Sequence, residues 1–284
     1  MTTTILGDGD DNFVGSDIDD QIFGGLGNDI LNGWTGNDAL FGGSGNDRLS
    51  NAGTGDDSYY GGIGNDVIFG EFGIKGDIAD GGDGVDELVL DYSNLAGTGG
   101  GGLGVSLTWG GTFDVVVSGI TGISVLGMEK LFLIGTRLND SISAGDGNDT
   151  ITSFGGSDII HAGGGDDLLR LSDHFTADGG DGNDMLELQM GAITRGVRLN
   201  LANPIVLDVG GFVGTAINFE QVYLILGSGR DRVVGGDLSD RIYGGTGRDS
   251  LYGGAGNDQV TSGDNRAAVY GGDGDDAVGG GRFS

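Results

Sequence analysis

Cysteine is absent from the 284 residues, proline occurs once, and histidine twice. Lys and Arg together number 13 against 43 Asp and Glu. Each shortage excludes something. Without cysteine there is no disulfide, no thiol nucleophile and no thiolate metal site. Two isolated imidazoles, His161 and His174, argue against a zinc-type ligand set. No apolar run reaches the ~18 residues of a membrane-spanning helix, and Met1–Leu6 lacks the basic stretch and apolar segment of a cleavable export signal. The net charge of −30 repels nucleic acid and anionic membrane surfaces alike.

What the chain has in excess is glycine, 66 residues of it. Glycine disfavours helix by about 1 kcal/mol per interior position but allows the positive φ of tight turns. The glycines follow a spacing of nine, which excludes collagen and its spacing of three. The clearest copies read Gly-Gly-x-Gly-x-Asp-x-apolar-x, as in Gly24–Asn32, Gly42–Ser50, Gly61–Phe69 and Gly253–Thr261. A short fixed period predicts a solenoid in which each unit buries its apolar side chain against its neighbours.

The repeats fall into three blocks separated by two segments of other character, giving residues 1–89, 90–134, 135–187, 188–225 and 226–284. Sixth-place aspartates in the first block are Asp11, Asp20, Asp29, Asp38, Asp47, Asp57, Asp66, Asp77 and Asp86. The eighth places hold Phe13, Ile22, Leu31, Leu40, Leu49, Tyr59, Ile68, Ala79 and Leu88. Asn51 is an extra residue, and Gly70-Glu71 is an insertion before the degenerate copy with Lys75. The second block carries Asp140, Asp149, Asp158, Asp167 and Asp184, with one shortened copy, Leu171–Asp178, where a metal site is not expected. The third carries Asp231, Asp240, Asp249, Asp258 and Asp276, and Ala267 stands where another aspartate belongs. The two segments between blocks alternate as half-buried strands, for example Phe113–Val117 and Val197–Leu201, and end on the similar phrases Met128–Leu133 and Phe219–Leu224. They are read as wider solenoid turns in the same sheets, with paired binding platforms as the alternative.

Six residues make a turn and three a short strand, so two copies close one coil and residues 18 apart stack. Asp11, Asp29 and Asp47 then share one edge, and Asp20 and Asp38 the other. Like charges about 5 Å apart repel by roughly 3 kcal/mol at an effective dielectric near 20. Summed along the stack, this exceeds the 5–15 kcal/mol or so by which proteins are stable, so a compensating cation is expected. Carboxylates together with glycine carbonyls, such as those of Gly25, Gly27, Gly43, Gly45, Gly62, Gly64, Gly245, Gly247, Gly254 and Gly256, are the hard oxygen ligands that suit several Ca2+ ions.

The phrase resembles the RTX, or hemolysin-type, calcium-binding repeat, a nonapeptide known to form calcium-binding β-helices. The resemblance implies an all-β, right-handed parallel β-roll with calcium held between turns by the repeat aspartates and main-chain carbonyls. It also implies export by a type I secretion exporter through an uncleaved C-terminal signal, hence a secreted, extracellular protein. Repeats run to Asp276-Ala277-Val278, so that signal overlaps the last repeats or is lost. The layout, with repeats from about Leu6, is similar to that of a small secreted rhizobial nodulation protein, which implies a calcium-binding nodulation factor forming cation channels in host membranes.

No catalysis is expected: His-Glu-x-x-His and Gly-x-Ser-x-Gly are both absent, and His161 and His174 read as surface residues. A polysaccharide-active enzyme is the weakest reading. A calcium-dependent adhesin binding cell-surface polysaccharide is the stronger rival, with Trp34, Trp109, Tyr60 and Phe113 as stacking candidates and Tyr59 as core. Arg230 and Arg248 are 18 apart, with Arg232 and Arg241 nearby. They read as salt-bridge partners of Asp231, Asp240 and Asp249, with a cationic spot for an anionic partner as the alternative.

Overall fold

A computed structural model describes residues 1–50, 55–70, 77–93, 103–108, 113–117, 120–201, 204–263 and 266–280, with 103–108, 113–117 and 120–124 as backbone only. Asn51, Glu71, Lys75, Trp109 and residues 281–284 lie outside this set, as does the side chain of Phe113. Among the described residues there is no helix, and the chain is a parallel β-solenoid. It divides into two compact units, Met1–Ile151 and Thr152–Ser284.

In the first unit, one sheet takes Thr2–Ile5, Asp20–Leu26, Ala39–Ser44, Ser58–Ile63 and Asp77–Asp83 as successive parallel strands. The facing strands Asn12–Val14, Ile30–Asn32, Arg48–Ser50, Val67–Gly70 and Glu87–Asp91 form a second. The chain alternates between the two, one nonapeptide at a time. Register follows the repeat: Ile30 pairs with Arg48 and Ile22 with Leu40, each 18 residues on. Because strand side chains alternate, the eighth place points inward. Ile22, Leu31, Leu40, Leu49, Tyr59 and Ile68 are accordingly fully buried between the sheets. On the outer surface, Phe23, Phe41 and Tyr60 stack at strand spacing, with centroids 4.6 and 4.8 Å apart. Their ring faces cover one another, so Tyr60 serves the sheet as a rung of this ladder.

Both segments between the repeat blocks are taken into the solenoid. Ile120–Leu126 runs parallel to Asp77–Asp83, after an antiparallel pairing with Phe113–Val117. In the second unit Phe212–Ile217 runs parallel to His174–Asp181 and antiparallel to Ile205–Val209. The latter hairpin closes on Gly210 and Gly211, both at positive φ (61° and 104°), as a two-residue turn requires. The likeness of the two segments thus has a physical form: each makes a hairpin and returns to parallel pairing. Ser157–Gly164 runs parallel to His174–Asp181 on its other side, and the other strands of this unit form two further parallel sets. One is Leu168–Leu171, Met185–Gln189, Gln221–Ile225, Arg241–Tyr243, Gln259–Thr261 and Ala277–Gly279. The other is Arg198–Asn200, Arg232–Val234, Ser250–Ala255 and Ala268–Asp273.

The inward place sets a direct contrast between adjacent residues, since Leu31 is fully buried and Ile30 is 45% exposed. Leu31→Ala is expected to cost about 2–5 kcal/mol and Ile30→Ala about 0.5 kcal/mol or less. Urea unfolding of both variants in calcium-containing buffer measures the difference.

Candidate metal-binding turns

Each sixth-place aspartate begins a strand, and its carboxylate is turned inward. Asp29, Asp47, Asp66, Asp86 and Asp184 are all at most 1% exposed. One carboxylate oxygen has a fixed job. The backbone N–H of Asp29 donates to Oδ1 of Asp47 at 2.7 Å, that of Asp47 to Asp66 at 2.8 Å, and that of Asp66 to Asp86 at 2.7 Å. On the other edge Asp20 donates to Asp38, Asp38 to Asp57, and Asp57 to Asp77. Asp11 donates to Asp29, Asp167 to Asp184, Asp231 to Asp249, Asp240 to Asp258, and Asp258 to Asp276. These aspartates therefore form ladders in which the carboxylate of one coil accepts from an amide of the coil before it. This revises the picture of bare facing charges, because half of each laddered carboxylate is satisfied by a backbone amide.

A second ladder runs the opposite way at the fifth place. Asn46 donates its N–H to Oδ1 of Asn28, Asn65 to Asn46, and Val85 to Asn65. The Asn-Asp pair of the repeat thus bonds each coil to both neighbours.

The ladders also recruit residues that the nonapeptide pattern misses. Asp86 donates to Oε2 of Glu129 at 2.8 Å, and Asp184 to Oε2 of Glu220 at 2.9 Å. These glutamates close the two wider turns in place of aspartate, the longer side chain spanning the altered register. The signal in the sequence is the shared x-Glu-x-apolar phrase that ends both segments. Beyond them the amides of Leu131 and Val222 take up Asp149 and Asp240. Val197 does the same for Asp231. Within the shortened copy Phe175 lies in register with Asp158, so a buried phenyl ring fills the aspartate place. Ala267, in the coil after Asp249, leaves that place empty of charge.

The other carboxylate oxygen, Oδ2, divides the turns into two kinds. In closed turns the second-place N–H donates to it: Ser16 to Asp20 at 2.7 Å, Thr136 to Asp140 at 2.9 Å, and Gly236 to Asp240 at 2.6 Å. Their fourth places are Ile18, Leu138 and Leu238, whereas Gly7, which donates to Oδ2 of Asp11 in the same way, is followed by Gly9 at the fourth place. In most open turns the second and fourth places are glycines at positive φ, such as Gly43 at 113° and Gly45 at 133°. There the second-place peptide is rotated away. Oδ2 of Asp29, Asp47, Asp66, Asp86, Asp184 and Asp258 is then buried with no hydrogen-bond partner. Asp38 is left in the same state by Trp34, which holds the second place at φ 76° although it is not glycine. A left-handed backbone costs a residue with a side chain roughly 1–2 kcal/mol. Asp231 differs again, since its Oδ2 is also without a partner although Gly227 and Gly229, at the second and fourth places, are not at positive φ.

The open turn is lined with oxygen. A β-carbon added at Gly24 would overlap both Oδ2 of Asp29 and the carbonyl oxygen of Gly42 in the next coil. The same holds at Gly42 for Asp47 and Gly61, and at Gly253 for Asp258 and Gly271. Gly25, Gly43 and Gly62 stack in register, while Gly27, Gly45 and Gly64 stack so closely that a β-carbon would strike the preceding carbonyl. Gly245 and Gly247 stand likewise over Gly227 and Gly229, and Gly254 over Gly236; Gly256 is seated against Leu238 and Ser239 of the coil before it. Among the described residues no three His, Asp or Glu side chains converge. A cation between coils would accordingly take a carboxylate Oδ2 and backbone carbonyls, which are the hard oxygen donors calcium prefers.

Burial makes these carboxylates reluctant to ionise on their own. Desolvation pushes Asp38, Asp66 and Asp184 up to about 6 and Asp77 to about 7, against the hydrogen bonds from neighbouring amides. Asp47, Asp86 and Asp258 are raised for the same first reason. At Asp20 burial is outweighed by hydrogen bonds from Thr2 and Ser16, and its carboxyl is lowered. An unpartnered buried oxygen on a group that resists carrying charge alone fits a bound cation.

One expectation about basic residues changes. Arg230, Arg232, Arg241 and Arg248 form no ion pair among the described residues. The reason is geometric, since Asp231, Asp240 and Asp249 are buried and hydrogen-bonded to backbone or hydroxyl groups while the arginines face solvent. His161 is on the surface as expected, 3.8 Å from Asp178.

The family model described as RTX calcium-binding nonapeptide repeat (4 copies) matches residues 5–38, 14–49, 51–74, 134–169 and 234–266. No curated protein matches the chain. Ladder, glycine turns and family match agree, and the chain carries RTX calcium-binding nonapeptide repeats.

Proposed function

We propose that this is a secreted protein that a type I exporter passes out unfolded and that closes into its solenoid on meeting extracellular calcium. The observation that carries the reading is the row of buried, unpartnered Oδ2 atoms in the open turns. A bound calcium supplies the positive charge that lets these carboxylates stay ionised inside the turn. The chain's own residues do the rest: the amide ladder fixes each Oδ1, the positive-φ glycines aim carbonyls into the gap, and the inward aliphatic column excludes water. Extracellular calcium modules bind at roughly 10⁻⁴–10⁻³ M, far above cytosolic levels, so folding follows location. The role is that of a binding protein and not an enzyme. Its second reading, a calcium-dependent adhesin, is favoured by the basic face of the C-terminal unit described below.

In excess chelator at neutral pH the strand signal in circular dichroism is expected to collapse and to return in millimolar calcium. An unchanged spectrum would remove the proposal.

Open and closed turns are expected to differ in ion binding. Asp47→Asn and Asp66→Asn keep an Oδ1 acceptor but lose charge, and each should lower calorimetric calcium stoichiometry by about one or two ions. Asp20→Asn, whose Oδ2 is already bonded to Ser16, should leave the stoichiometry unchanged.

The raised carboxyls set a pH window with a definite sign. A carboxyl raised in the folded state stabilises it fully below the unfolded value near 3.8 and ceases to as pH climbs through the folded value. The calcium-free chain should hence be less folded at about pH 7.5 than at about pH 5. Calcium needs the ionised form, so its apparent affinity should rise over the same interval. Calcium titrations followed by circular dichroism at several pH values test both slopes.

A further inference from the structure

The C-terminal unit carries a basic face in a chain that is otherwise strongly acidic. Six of the 13 basic residues, Arg195, Arg198, Arg230, Arg232, Arg248 and Arg266, lie on one edge of the sheet formed by Arg198–Asn200, Arg232–Val234, Ser250–Ala255 and Ala268–Asp273. Arg198 pairs directly with Arg232 on neighbouring strands. Arg230, Arg248 and Arg266 each precede the strand start of successive coils, because Arg232 pairs with Ser250 and Ser250 with Ala268. All six side chains are exposed.

These arginines do no structural work that the fold elsewhere assigns to their positions. At the fifth place of other turns, asparagine or aspartate accepts an amide from the next coil. Arginine has no acceptor, so at three consecutive coils the forward ladder is given up. Nor do the five arginines from Arg195 to Arg248 neutralise nearby acids. Arg195, Arg198, Arg230, Arg232 and Arg248 make no ion pair among the described residues, and the adjacent Asp231 and Asp249 are at most 3% exposed. The residues between them, Asn200, Val234, Ser250, Tyr252 and Tyr270, carry no carboxylate, and the exposed Asp237 and Asp273 come after Val234 and Tyr270, toward the other ends of the strands.

We propose that this face binds a linear carboxylated polysaccharide. Successive coils are about 4.8 Å apart, so the guanidinium groups form a row on the length scale of a sugar residue, along which a polyuronate chain can set its carboxylates. Guanidinium is the side chain whose planar donors match a carboxylate in two-point contact. Tyr252 and Tyr270, each 42% exposed and paired on neighbouring strands, supply apolar ring surface beside the cations. A duplex or a bilayer would bring a broad anionic surface against a body of net charge −30. A flexible single chain touches the basic edge alone. The inference deepens the adhesin reading above and needs the calcium-folded solenoid.

Titration of the full chain with short oligogalacturonates, in about 1 mM calcium and low salt, tests it, with circular dichroism in the same buffer reporting the fold. Wild type should bind, and the double variant Arg230→Ser with Arg248→Ser should bind at least about tenfold more weakly while keeping its spectrum. Arg230→Lys with Arg248→Lys should lose less, and Arg48→Ser with Arg137→Ser, equal in charge but elsewhere, should bind as wild type. Equal binding by the Arg230 and Arg248 serine variant, equal binding of neutral maltooligosaccharides, or tighter binding of duplex DNA or anionic vesicles would overturn the assignment. A spectrum already collapsed for wild type in calcium would instead count against the folding proposal.

Discussion

Everything in this solenoid depends on a backbone amide of one coil finding a carboxylate of the next. An inter-strand ladder alone does not fix the turn, which is where a glycine-rich chain has most freedom to lose. The aspartate ladder fixes it from inside, with bonds of 2.7–3.1 Å repeated along both edges. The cost is a column of carboxylates in surroundings that resist charge. Half of each is answered by the amide, and the other half is where closed and open turns part ways.

The distinction rests on one peptide group. Where the second place keeps negative φ, as at Ser16 or Thr136, its N–H covers Oδ2 and the turn is complete in itself. Where glycine at the second place turns to positive φ, the oxygen stays uncovered and carbonyls surround it. The same sixth-place aspartate thereby serves in two chemistries. Trp34 shows that the open geometry is imposed by the coil and not merely permitted by glycine, because a residue with a large side chain adopts it too.

Much of this was legible in the residues. The period of nine predicts the two-copy coil, the spacing of 18 predicts the registers, and the alternation within three residues predicts the buried column from Ile22 to Leu88. What the pattern does not convey is direction, since nothing in the letters Asn-Asp says that one side chain bonds forward and the other back. An aliphatic residue at the fourth place accompanies closed turns at Ile18, Leu138 and Leu238, but Gly9 in the closed turn of Asp11 shows that the division rests on the peptide orientation and not on that residue. Glu129 and Glu220 lay outside the period and were hidden by the register change before them. The salt-bridge reading of the arginines failed because sequence proximity to Asp231 and Asp249 conceals that strand neighbours face opposite ways.

Phe175 and Ala267 interrupt the ladders at single rungs. In a structure whose coils interact only with their neighbours, such gaps act as joints between cooperative stretches. Each stretch between gaps then has its own threshold for closing. Rising ion concentration would lengthen the ordered portion by instalments, giving a graded gauge of the surrounding medium instead of a single snap from coil to solenoid.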